Sequence, residues 1–370
     1  MLLIINSFQF LGFQILHPIL PVYSLEFTHS ETLIGIMSAS IALSSIFTRP
    51  VSALLADKGD RKRIVIFAQF AYAGAGFILL FCRNIYQLIA VRLIQGIVFS
   101  ITSTTANTSA ISMLPESKLG HGVGLFSLSY IVTQGIAPGL GIFVSGKYGY
   151  AVFFIFVAML SVISGILALF LKDTPGSKIT KDLIKKVSFR SIFASETFKL
   201  IFILLFFACI TSIINNFLLL YGNTIGLGGI GHFFVIYAGV LILVRMVGGI
   251  LIDRLYYGVI VLFCTGLCAA ASLIIANAQS FLYLVIAAIL LGFGYGYSNP
   301  ALQAEMVRRV PGDRIGGATA TFYFSLDLAN IIAPVIMGFL IENIGYQMGY
   351  SLFCLPLVIG IIIVFAEKRQ

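Results

Sequence analysis

Long apolar runs broken by short polar stretches recur along the whole chain. FILLFFACI at 202–210 is one such run, without a charged or hydroxyl side chain. The runs are continuous rather than alternating, and most are about the 20 residues a helix needs to cross a hydrocarbon layer of roughly 30 Å. Only helices satisfy their own backbone hydrogen bonds in such runs, and a lipid-embedded barrel would show short alternating strands instead. The pattern predicts spans at 2–22, 31–56, 64–82, 85–113, 119–145 and 149–171, then a polar stretch at 172–198. A second set follows at 199–221, 229–252, 258–277, 280–306, 314–341 and 346–366. The expected fold is therefore an all-α membrane protein with 12 transmembrane helices. Its expected parts are a six-helix bundle over 1–172, a cytoplasmic linker over 173–196 and a second bundle over 197–370.

The two sets repeat one another. With a constant shift of 196 residues, 35–150 and 231–346 share 25 identities in 116 positions, without gaps. Ile and Leu matches are cheap in such a chain, so the rarer types carry the weight. Gly35 meets Gly231, Arg49 meets Arg245, Asp57 meets Asp253, Gly96 meets Gly292, and Pro115 meets Pro311. Gly120 meets Gly316, Ala137-Pro138 meets Ala333-Pro334, and Gly149-Tyr150 meets Gly345-Tyr346. Six helices are an even number, so the two pseudo-symmetric halves enter the membrane the same way round. Parallel six-helix repeats with a shared site are a transporter architecture.

Composition narrows the class further. Of 370 residues, 59% are hydrophobic and 10% charged, with a mean hydropathy of +1.04. A soluble domain carries about a quarter charged residues, so a water-soluble globule is excluded. The net charge of +9 does not point to nucleic acid, because the basic residues sit between the apolar runs. Eighteen of 23 Lys and Arg fall on one side of the predicted membrane, Arg83 and Lys147 on the other, and Arg49, Arg92 and Arg245 inside spans. The positive-inside rule then puts both termini and the central loop in the cytoplasm of a multi-pass protein of the plasma or inner membrane. The first segment lacks a basic leader and a cleavage site, and reads as a retained span. Cys82, Cys209, Cys264, Cys268 and Cys354 have no metal-binding spacing. No metal or cofactor is expected, and no H-E-x-x-H or phosphate-binding glycine loop suggests an enzyme or an ATP-driven pump.

At 49–62 the chain reads RPVSALLADKGDRK. This resembles the loop between the second and third helices of the major facilitator superfamily. Asp57, Lys58, Arg61 and Lys62 match, whereas Ala53 and Asp60 replace two glycines. The second copy, RMVGGILIDR at 245–254, keeps Gly249, Asp253 and Arg254. The resemblance implies that these acids act as gate latches on helix N-termini, where free N–H groups favour an anion. Asp57 would meet the start of span eleven near Gly316, and Asp253 the start of span five near Gly120. The alternative is that both acids merely cap loops in water. RLIQG at 92–96 is similar to the family's motif of an Arg within the fourth helix. TQGIAPGLG at 133–141, with Gly135, Pro138, Gly139 and Gly141, is similar to its antiporter-associated motif, although Ala137 and Ile142 depart from it. Ordinary close helix packing accounts for those glycines equally well.

The resemblance implies a polar cavity lined by spans one, four, seven and ten. An intramembrane charge is costly and belongs by default to a cavity or a partner. Arg92 with Gln14 and His17 is a candidate hydrogen-bonded cluster, with a simply packed His17 as the alternative. Gln95, Asn215, Asn299 and Asn330 are further cavity candidates. Span eleven carries Asp327 near its middle, and helical spacing puts Tyr323, Asp327, Asn330 and Pro334 on one face. Such a carboxylate suits a proton carrier, or else a structural ion pair. Glu305, beside Arg308 and Arg309, reads as a loop-side ion pair. The expected function is secondary transport of a small-molecule substrate by alternating access, with export by proton antiport. The expected setting is a monomer in a lipid bilayer, without nucleic acid. Uptake by proton symport and a non-transporting receptor are the alternatives.

Overall fold

The computed structural model describes residues 1–112, 119–171, 197–254, 256–310 and 315–354, with backbone alone at 57, 58, 111, 112, 119–128, 198, 247–254 and 315–320. The described residues hold helices and no strand. The chain divides into two compact units, Met1–Ile179 and Thr180–Gln370. The central polar stretch at 173–196 and the end of the last predicted span fall outside the described residues.

The first unit opens with α1 (Leu2–Gln14) and α2 (Leu16–Ser24). The sequence predicts one span here, and Pro18 explains the break. It offers no N–H to the carbonyl of Gln14, so the ladder is interrupted at Ile15. Helix α3 (Glu31–Lys58) starts at Ser30, whose hydroxyl accepts from the Leu33 N–H at 3.3 Å. Helix α4 (Arg61–Ile78) starts at Asp60, which accepts from the Arg63 N–H at 3.2 Å. Helix α5 (Ile85–Ser112) is capped by Asn84, accepting from the Gln87 N–H at 2.9 Å. These caps satisfy orphan donors at helix starts.

Helix α6 (Leu119–Leu169) carries predicted spans five and six as one element, reversed at Gly149, where φ is 80° and ψ 170°. The second unit comprises α7 (Phe198–Thr224), α8 (Ile230–Arg254), α9 (Tyr257–Ala276), α10 (Phe281–Arg308) and α11 (Ile315–Leu352). Helix α11 is reversed in the same way at Gly345, with φ 79° and ψ 170°. That region of backbone space is almost closed to residues with a Cβ. The predicted loops at 146–148 and 342–345 are therefore single-residue reversals. Next to each, a tyrosine meets the first span of its own unit: Tyr150 against Tyr23 on α2 with ring centroids 4.7 Å apart, and Tyr346 against Tyr221 on α7 at 5.3 Å.

The two units share one packing plan. In the first, α3 packs on α5, α1 on α6, and α4 on both α5 and α6. In the second, α8 packs on α10, α7 on α11, and α9 on both α10 and α11. The repeat persists at single contacts. A Cβ on Gly96 would strike the Ile41 carbonyl and Ser44. One on Gly292 would meet the Tyr237 carbonyl at 3.3 Å and Val240 at 2.7 Å. Both pairs of neighbours are related by the same 196-residue shift. Large apolar side chains also face outward; Phe67 is 77% exposed and Met246 81%. A molecule apolar both inside and outside suits lipid rather than water. Nine described helices are long and apolar enough to cross a membrane, and two of these, containing Gly149 and Gly345, each carry a pair of spans. With the shorter apolar segment Ile230–Met246, the described residues cover eleven of the predicted spans and the first turns of the twelfth.

Candidate functional site

The loop between α3 and α4 is held by its own charges. Arg61 is 2% exposed, and its Nε donates to the Ala56 carbonyl at 2.7 Å. The guanidinium therefore caps the end of α3, where free carbonyls favour a cation. Asp60, standing where the family motif has glycine, caps α4 and pairs with Arg63 at 2.9 Å. Lys62 is half-buried beside it. Asp57, Lys58, Asp253 and Arg254 have side chains outside the described residues, so the two latch contacts also fall outside them. Arg49 is half-buried on α3.

Polar side chains thread the interior of the first unit. Gln69 Nε2 on α4 donates to Gln9 Oε1 on α1 at 3.1 Å. Asn6 Nδ2 donates to Ser129 Oγ at 2.7 Å. Tyr72 lies one turn beyond Gln69 and within electrostatic reach of Arg92. Arg92 Nη1 donates to Gln95 Oε1 at 3.1 Å, and both residues are fully buried. The expected cluster of Arg92, Gln14 and His17 does not form. Gln14 Nε2 instead donates across to α6, to the Tyr130 carbonyl and Thr133 Oγ1, each at 3.0 Å. Gln14 lies on α1, which packs against α6. His17 is half-buried, edge-on to Phe13 at 4.8 Å. Phe13 in turn stacks on Phe99 at 3.9 Å, and Phe10 meets Phe99 and Tyr130 edge-on.

The glycine-rich motif of α6 serves that same contact. Gly135 and Pro138 are buried, and Gly139 is half-buried. A Cβ on Gly141 would lie 2.9 Å from Ile15 Cγ1 and 3.1 Å from the Ile15 carbonyl. The motif thus admits span one to near-backbone distance at its break.

The second unit gathers a smaller polar group. Arg245 Nη2 donates to Asn299 Oδ1 at 3.5 Å, and Asn299 Nδ2 donates to the Tyr295 hydroxyl at 3.1 Å. Tyr295 is also within hydrogen-bonding reach of Thr211. Spans seven, eight and ten converge here. The sequence places Arg245 with the gate residues; the structure places it beside the polar residues of span ten. Asn215 is half-buried, and Asn216 is buried and folds back onto the Ser212 carbonyl. Of the expected face on α11, Tyr323 is exposed, Asp327 and Asn330 are half-buried, and Pro334 is buried. Asn330 Nδ2 donates to the Leu326 carbonyl at 3.0 Å. Glu305 pairs with Arg309 at 2.9 Å.

Gln69 and Tyr72, on span three, escape a reading that assigns the cavity to spans one, four, seven and ten, and Gln9 is a residue of span one that this reading does not name. Their signal is local: Gln69 and Tyr72 are spaced three apart in an otherwise oily span, which puts them on one helix face. A separate crevice between α3, α4 and α5, lined by Leu55, Ile64, Phe67, Val98 and Ile101, is apolar and carries none of this chemistry. Among the described residues, no group of His, Cys, Asp or Glu could hold a metal ion.

A family model described as the Major Facilitator Superfamily matches residues 2–276 and 229–370. The chain belongs to the Major Facilitator Superfamily. Its members are transporters, not enzymes. Among its curated relatives is a multi-drug resistance efflux pump homologue of Lactococcus lactis, 24% identical over 97% of this chain and 92% of that protein. The quinolone resistance protein NorA of Staphylococcus aureus is 25% identical over 98% of this chain and 94% of that protein. Among solved structures, the nucleoside transporter NupG superposes with a TM-score of 0.78 at 16% identity, over 100% of this chain and 98% of the other. A transporter of the POT family superposes with a TM-score of 0.80 at 12% identity, over 100% and 94%. These superpositions establish the fold, and the family match makes the chain a multi-pass membrane transporter.

Proposed function

We propose that this protein exports small amphiphilic molecules across the cell membrane in exchange for protons. The observation that carries this reading is the near full-length similarity to a multi-drug resistance efflux pump homologue of Lactococcus lactis and a quinolone resistance protein of Staphylococcus aureus. In this reading the protein works as a monomer with both termini in the cytoplasm, and its two homologous units alternate access to a polar site. Asp327 is the proton-coupling carboxylate. It is half-buried in span eleven, and an acid within a membrane span is by default a candidate for the coupling path. Asp57 and Asp253 latch the cytoplasmic side, with Arg49, Lys58, Lys62 and Arg254 around them. Arg61 holds the end of the helix that carries Asp57.

The test is transport into everted membrane vesicles energised by a proton gradient, with fluorescent amphiphilic dyes as probes. Export predicts dye accumulation that collapses when the gradient is discharged. Accumulation only in right-side-out vesicles would overturn export in favour of proton-coupled uptake. Asp327→Asn should abolish gradient-driven accumulation while leaving exchange of dye down its own gradient. Uphill transport in that variant would remove Asp327 from the coupling role.

A further inference from the structure

Four buried side chains in the first unit carry polar atoms without a hydrogen-bond partner: Arg92 Nε, Gln95 Nε2, Gln9 Nε2 and the Tyr72 hydroxyl. Their residues are 1%, 0%, 4% and 4% exposed. Three of these atoms can only donate, and the fourth can donate. Arg92 makes one side-chain hydrogen bond, to Gln95, and among the described residues no carboxylate pairs with it. Buried donors left unsatisfied are expensive, and a buried guanidinium without a counter-ion more so.

The repeat supplies an internal control. At the 196-residue shift, Gln69, Tyr72, Arg92 and Gln95 correspond to Thr265, Cys268, Ala288 and Leu291. All four counterparts are buried as well. The same fold therefore packs these positions with small or apolar side chains, and nothing in the bundle itself calls for an arginine there. The polar set belongs to something the first unit binds. Phe99, one turn beyond Gln95 on α5, stacks on Phe13, one turn beyond Gln9 on α1.

We propose that Arg92, with Tyr72, Gln95 and Gln9, receives the acid group of an amphiphilic organic carboxylate, whose apolar body lies against the Phe13–Phe99 pair. This rests on the transport reading and names the substrate class for the site in the first unit. A carboxylate brings two acceptor oxygens and the missing negative charge, which a set of donors and one guanidinium would otherwise lack. A cationic ligand would meet only donors and a like charge. An orphan acceptor, Asn6 Oδ1, lies one turn before Gln9 on α1 and suits a hydroxyl or N–H next to the acid.

The test is calorimetric titration of the purified full chain in detergent at neutral pH with 2-naphthoate and its uncharged isostere 2-naphthamide. Naphthoate should bind about tenfold or more tightly than naphthamide, the margin of a charge-assisted hydrogen bond. The double variant Arg92→Ala/Gln95→Leu copies the second unit, so it should melt at least as high as the parent and lose the preference for the acid. Tyr72→Phe, which removes one hydroxyl, should weaken naphthoate several-fold and leave naphthamide unchanged; it carries the test if the double variant fails to fold. Equal binding of the two probes, no binding of naphthoate, or an undiminished preference in the variants would overturn the proposal. No gradient is present, so an intact acid preference in a protein that fails to export would sink the export reading alone.

Discussion

Gly96→Ala isolates the closest helix crossing in the first unit. Gly96 lies where α5 crosses α3, and a methyl group there would strike the Ile41 carbonyl and the Ser44 hydroxyl. The carbonyl is backbone and cannot rotate away, so α3 and α5 must separate. Overpacking of this kind costs about 1–3 kcal/mol. A gain of up to about 1 kcal/mol from replacing a helical glycine acts in the opposite direction. A clash with backbone lies in the upper part of that range, at about 2–3 kcal/mol, so the net expected loss is about 1–2 kcal/mol, or roughly 2–8 °C in Tm for a unit of this size. Gly74 on α4 is the control, because a Cβ there has nothing within 4 Å. Gly292→Ala is the related case in the second unit. Its nearest neighbours are Val240 Cβ and Cγ1 at 2.7 Å, with the Tyr237 carbonyl at 3.3 Å, all farther off than the carbonyl oxygen and hydroxyl that Gly96 would strike, so its loss should be smaller. Melting of the purified variants in detergent, followed by circular dichroism, ranks the three. If Gly96→Ala melts with Gly74→Ala, backbone contact does not set the α3–α5 spacing.

Two further outcomes are expected. Gly149→Ala and Gly345→Ala each force a Cβ into backbone near φ 80°, which costs about 1–3 kcal/mol, so each should lower the melting temperature although neither added methyl group meets a neighbour; unchanged melting would show that the reversals relax freely. Arg61→Ala leaves the Ala56 carbonyl without its donor, a loss of about 1.5–3 kcal/mol for a charged hydrogen bond; faster hydrogen exchange confined to the end of α3 is the expected signature, and unchanged exchange there would exclude the cap.

The parts legible in the sequence are those that lipid and symmetry impose. Span length follows from membrane thickness, and matched Arg, Asp, Pro and Gly at one offset reveal two copies of one unit. Even the crossing at Gly96 and Gly292 has its trace there. The site was less legible, because hydropathy says how oily a span is and not which way a polar side chain turns. Gln14 shows this. Its place on span one suggests Arg92 as a partner, but α1 packs on α6 and Gln14 bonds there to Thr133. Arg245 reads as a motif residue by its repeat partner Arg49, yet its neighbour is Asn299 on another span. Asp60 reads as a departure from a glycine motif, and its capping of α4 was open to a reading that asks what starts the helix. Gln69 and Tyr72 stand in a span that the family resemblance leaves out of the cavity, so only their three-residue spacing marks them.

The reversals at Gly149 and Gly345 bear on how each unit can move. Where most hairpins between membrane rods have a flexible tether, these two have one residue and no slack. A tilt of the fifth rod therefore passes to the sixth through a single residue, Gly149, held near φ 80°.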